Sequence, residues 1–152
     1  MESPTQVRLQ AGVDRRYAVV MLAAAATFGI ASYLHLDGRV PLGIFTITGE
    51  RFSRASVPEA IIGVLLAAGA VVVVVAPRRA LVVAVSAVGF AALGVLAGLG
   101  FVLTSSRPDI TADLVYHLSV LVVLLAVLVA LARPGSRPGR WLVRRSGRAP
   151  TA

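Results

Sequence analysis

Four long apolar runs, at 17–36, 58–76, 80–103 and 114–132, constrain this chain more than anything else in it. Each is close to the ~20 residues that a helix rising 1.5 Å per residue needs to cross ~30 Å of hydrocarbon. Glu59 is the only arginine or carboxylate inside them. In lipid the backbone has no water to bond, so a spanning segment satisfies its own polar groups as a helix. Val71 to Val75, a strand pattern in water, therefore reads as helix here. The fold expected is an all-α membrane protein: an antiparallel four-helix transmembrane bundle, up-down-up-down, with a short hairpin or an irregular loop after the first helix.

The flanks fit that reading. Residues 1–16 form a polar cytoplasmic segment, 17–132 the transmembrane domain, and 133–152 a disordered basic tail. The segment DRRYAVVML resembles a twin-arginine export signal, but the apolar run behind it is full length, and an uncleaved first helix is expected. Pro58 and Glu59 are expected in the first turn of the second helix, where proline lacks no needed donor and a carboxylate meets the positive end of the helix dipole. Pro77-Arg78-Arg79 marks a tight basic turn, and Arg133-Pro134-Gly135 stops the fourth helix. In the third run, Gly94 and Gly98 form a GxxxG pair expected to face a neighbouring helix, with Val95 turned to another face.

Composition narrows the chemistry. With 57% hydrophobic and 14% charged residues, too little charge remains to cover a water-facing surface. The chain has no cysteine and no lysine, which excludes disulfides, thiolate metal sites, cysteine nucleophiles, lysine Schiff bases and a P-loop. The net charge of +8 comes from arginines clustered where apolar runs end. That is a topology and lipid-headgroup pattern, so the partner expected is the bilayer and not nucleic acid. In the tail, Trp141 and Leu142 stand between Arg140 and Arg144-Arg145, a segment suited either to anionic lipid or to plain solvation.

Eleven arginines fall in the N-terminal segment, the 77–79 turn and the tail, against four in the other two loops. The basic side is cytoplasmic, so both termini are expected inside a plasma membrane. The first outer loop contains Val40, Leu42, Ile44, Phe45 and Ile47 with Thr46 and Thr48, and a hairpin there would place its turn at Gly49-Glu50.

One polar constellation stands at a single depth near the outer end: His35 closing the first helix, Glu59 opening the second, and Asp113 and His117 on one face of the fourth, beside Tyr116. Two imidazoles and a carboxylate suit a divalent metal bound by His35, Glu59 and His117, with Asp113 supporting His117. The two histidines also suit a haem as axial ligands, and a His–Glu pair suits relaying protons or polarising a bound quinone carbonyl. Against this, Glu59 and Asp113 suit their helix N-termini, with Asp109 and Thr111 as further capping candidates, and no spacing of high specificity is present.

The segments SYLHL, PEAIIG and VYHLSVLVVLL resemble a class of small four-helix membrane proteins of high-GC bacteria, over residues 17–132. The resemblance implies a fold and no activity. Size and helix count are similar to those of DoxX-like proteins, in architecture only. The function expected is a non-catalytic accessory or interaction subunit, a homo-oligomer or the partner of another membrane protein. The alternative is a membrane redox, metal-, haem- or quinone-binding protein. No cofactor is specified.

Overall fold

The computed structural model describes residues 13, 15–49, 53–105 and 110–133. The elements run α1 (Arg15–Leu34), β1 (Arg39–Leu42), β2 (Phe45–Thr48), α2 (Ser53–Val75), α3 (Ala80–Thr104) and α4 (Thr111–Ala132). Every apolar run is a helix long and apolar enough to cross a membrane. Consecutive helices pack on one another, α1 on α2 most extensively, then α2 on α3 and α3 on α4. Short connections between packed neighbours make the bundle antiparallel. The hairpin lies at one end and the Pro77 turn at the other.

The packing has a sequence rationale. On α3 the buried positions Ala80, Ala84, Val88, Ala91 and Val95 are spaced by steps of four and three, with Val102 two turns on, the spacing of knobs-into-holes packing. Every buried side chain of this helix is alanine or valine, Ala80, Ala84, Ala91 and Ala92 among them, so backbones approach closely; association in lipid depends on such fit, since lipid tails are as apolar as leucine. Met21, Phe28, Leu66 and Leu124 fill the remaining interior. The Thr27 and Thr104 hydroxyls are satisfied within their own helices, Thr104 bonding the Gly100 carbonyl at 2.9 Å.

Several local expectations change. Helix α2 begins at Ser53, not at 58, so Pro58 is interior and Glu59 lies beyond the first turn. Proline removes only the N–H that would bond the Arg54 carbonyl, and the helix continues through it. Helix α4 begins at Thr111, not at 114, with the Leu114 N–H bonded to the Ile110 carbonyl at 2.8 Å. Helix α1 extends its ladder to His35, whose N–H bonds the Ala31 carbonyl, and closes where the Gly38 N–H bonds the Tyr33 carbonyl at 3.1 Å. Asp37 takes the left-handed conformation there, with φ 61°, as the C-terminal residue of a Schellman-type cap.

The loop is a hairpin, with Arg39 opposite Thr48 and Leu42 opposite Phe45. Its turn is Gly43-Ile44, not Gly49-Glu50; Gly43 has φ 69°, the condition a type II′ turn sets at its first central residue. Gly49 instead ties the hairpin base to α1: its N–H bonds the Gly38 carbonyl at 2.9 Å, and its Cα lies against the Leu34 backbone with no room for a side chain. Glu50, Asp109, most of 1–16 and the tail beyond Arg133, Trp141 and Leu142 among it, fall outside the described residues.

Candidate functional site

Glu59 is the unusual residue of the bundle. Buried positions on α2 run Ser56, Glu59, Ile62, Leu66, Ala70 and Val73, so Glu59 occupies the stripe that faces the other helices. It lies about 9 Å along the axis from Ser53 and is 6% exposed. A carboxylate at that depth is desolvated rather than spent on the helix dipole, because no acidic residue stands in the first turn of α2. His35 Nε2 stands 3.6 Å from Glu59 Oε2, an ion-pair distance when the imidazole is protonated and too long for a hydrogen bond. Glu59 Oε2 is buried without a hydrogen-bond partner.

Helix α4 supplies a second orphan. The Tyr116 hydroxyl is likewise buried without a hydrogen-bond partner. Its ring meets Phe28 of α1 edge-to-face at 6.4 Å and 78°. The Ser32 hydroxyl donates to the Ser56 carbonyl at 2.8 Å, a buried polar link between α1 and α2.

His117 faces elsewhere. Its Nδ1 lies 2.7 Å from the Asp113 carbonyl oxygen. A carbonyl only accepts, so Nδ1 carries the proton. The support expected from Asp113 thus comes through its backbone oxygen. Nε2 rests against Gly98 of α3, where a Cβ would fall 2.6 Å away. A Cβ on Gly94 would fall 2.5 Å from Ile62 Cδ1 of α2. The two glycines of the GxxxG pair therefore serve two different neighbours, α2 and α4. Val95, expected on another face, is itself buried at 2% exposure.

The structure therefore brings His35 and Glu59 together and turns His117 toward Gly98. Among the described residues no three His, Asp or Glu side chains gather as a metal-ligand set. Tyr116, expected beside His117, meets Phe28, and Ser32 bonds the Ser56 carbonyl; sequence reasoning did not place Phe28 or Ser32 in the site. Ser32 had a signal, standing three residues before His35 on the same helix face. Comparison with protein-family models, curated proteins and solved structures finds no match. The chain is a four-helix, membrane-spanning protein, and no narrower family is indicated.

Proposed function

We propose that the protein is a small non-catalytic interaction subunit of the plasma membrane, assembling with a second copy of itself through α4. The supporting observation is an unburied seam on that helix. Val115, Leu118, Val122, Leu125 and Val129 alternate steps of three and four and are all exposed. The buried residues Leu124, Val127 and Leu131 lie on the opposite face and only toward the Pro77 end. Valine and leucine alternate along the seam in the order that favours two parallel strands. Two copies inserted the same way present α4 to α4 in parallel. Ser119 and Ala126, also exposed, flank the seam at a seven-residue spacing and permit close approach. The enclosed share of α4 is 17%, against 33–39% for the other helices.

The absence of cysteine makes the test direct. Single cysteines at 115, 118, 122 and 125 are expected to form disulfide-linked dimers in membranes, with much weaker linkage from Leu93 and Val64, exposed on α3 and α2. Linkage without that periodicity, or equal linkage from all three helices, would sink the reading.

A further inference from the structure

The hairpin is two-faced, a feature independent of the α4 seam. Residues directly opposite in an antiparallel pair share a face, and successive residues alternate between faces. Val40 pairs with Ile47, which puts Val40, Leu42 and Ile47 on one face. Arg39 pairs with Thr48 and Pro41 with Thr46, which puts Arg39, Thr46 and Thr48 on the other. Leu42 and Ile47 are exposed, as is Ile44 at the tip, so the protein leaves the apolar face largely uncovered. Of the helices, the hairpin packs chiefly on α1. Two strands alone are at best marginally stable in water, and covering an apolar face stabilises them.

The position of the hairpin says what covers that face. Its first strand begins five residues after Leu34, the last residue of a membrane-spanning helix. The Gly38 backbone lies against the Tyr33 ring with no room for a side chain, and the Gly49 N–H closes the base on the Gly38 carbonyl. The base is thereby held at the level of Tyr33, which is exposed near the end of α1, where tyrosine marks the headgroup region. In chain order, exposed apolar side chains run from Ile30 and Tyr33 through Leu36 to Leu42 and Ile47, so the lipid-facing surface of α1 leads into that of the hairpin. The depth also has a limit. In a two-stranded sheet both outer edges carry unpaired N–H and C=O groups, which need water and keep the strands out of the hydrocarbon.

We propose that the hairpin is a membrane-surface anchor. It lies along the bilayer interface at its end of the bundle, with Val40, Leu42 and Ile47 set into the headgroup–acyl boundary and Arg39, Thr46 and Thr48 toward water. The partner of the apolar face is lipid, in the way that the apolar face of an amphipathic helix rests in the same boundary.

The test uses the full chain in phosphatidylcholine nanodiscs, which leave both bilayer faces open to solutes. The chain has no cysteine, so single cysteines at 42, 46, 47 and 48 each carry one nitroxide spin label. Collision with oxygen, which concentrates in hydrocarbon, is compared with collision with a water-soluble nickel chelate. The ratio of oxygen to nickel access is expected to be several-fold higher at 42 and 47 than at 46 and 48. Equal ratios at all four positions overturn the proposal, because the hairpin then has no lipid-facing side. Low access of both reagents at 42 and 47 overturns it as well, because protein, a second copy included, then covers the face. All four positions are exposed, so labelling them leaves the packing of the bundle intact. Labels at Leu93 and Val64, exposed on α3 and α2, should show high oxygen access in every sample and so report an inserted bundle.

Discussion

Glu59 and Tyr116 set the energetics of single residues here, because each places a polar atom in the bundle without a hydrogen-bond partner. Replacing an orphan by an apolar group of the same shape removes a penalty and breaks no bond. Tyr116→Phe is therefore expected to be neutral or stabilising by up to about 1 kcal/mol, read as the midpoint of thermal unfolding in detergent. A clear loss of stability would mean that the hydroxyl already has a partner. Ser32→Ala removes a real bond, but the Ser56 carbonyl remains within a helix and the hydroxyl is lost with its own needs. The expected loss is about 0.6 kcal/mol, the average for such bonds between membrane helices. Glu59 was legible as an intramembrane charge, and its three- and four-residue steps to Ile62 and Leu66 show which way it faces. The contact of Tyr116 with Phe28 was not, because no periodicity within α1 or α4 says which residues of two distant helices share a depth and a face.

Elements differ in how their joints tolerate change, and α3 is the most sensitive. Gly98→Ala would push its methyl into His117 Nε2, and the ring cannot swing freely while Nδ1 holds the Asp113 carbonyl. Such overpacking costs about 1–3 kcal/mol, and the α3–α4 joint should loosen. Leu93→Ala, on an exposed face of the same helix, should change stability by less than about 0.5 kcal/mol. Equal losses at both positions, measured by thermal unfolding in detergent, would show that the glycine is not a contact. The hairpin offers a separate joint. Gly43→Ala forces a left-handed conformation on a residue with a Cβ, at about 1–2 kcal/mol. Faster amide exchange is expected across Val40 and Ile47, with the helices unaffected; acceleration in α1 and α2 as well would mean that the hairpin braces the bundle. The strands were readable from Val40, Leu42 and Ile47, whereas the turn was not. Gly43-Ile44 and Gly49-Glu50 both read as turns, and only the closeness of Gly49 to Leu34 removes the second. Pro58 misled for a related reason: a proline suits a helix start, but Ser53 to Val57 are helical ahead of it.

At the scale of the whole molecule, the apolar runs alone made the bundle legible, since only a helix of about 20 residues both spans the hydrocarbon and satisfies its backbone. The bundle by itself is indifferent to which end faces the cytoplasm; charge decides that. The end opposite the hairpin carries Arg78 and Arg79 in its turn, Arg15 and Arg16 at the start of α1, and Arg133 after α4. By sequence, the segments flanking that end, 1–16, 77–79 and 133–152, contain eleven arginines against four in the other two loops. Lysine and arginine close to membrane-spanning segments are retained on the cytoplasmic side, so the hairpin is expected outside. A reporter fused after Ala152 should be active only in the cytoplasm. A second reporter inserted between Gly43 and Ile44, at the exposed tip of the hairpin, should be active only outside. The two readouts separate two errors. Exchange of the compartments would retain four spans and overturn the arginine argument alone. Both reporters on one side would contradict the helix count, because an odd number of crossings must separate the hairpin from the C-terminus: α2, α3 and α4 in this fold.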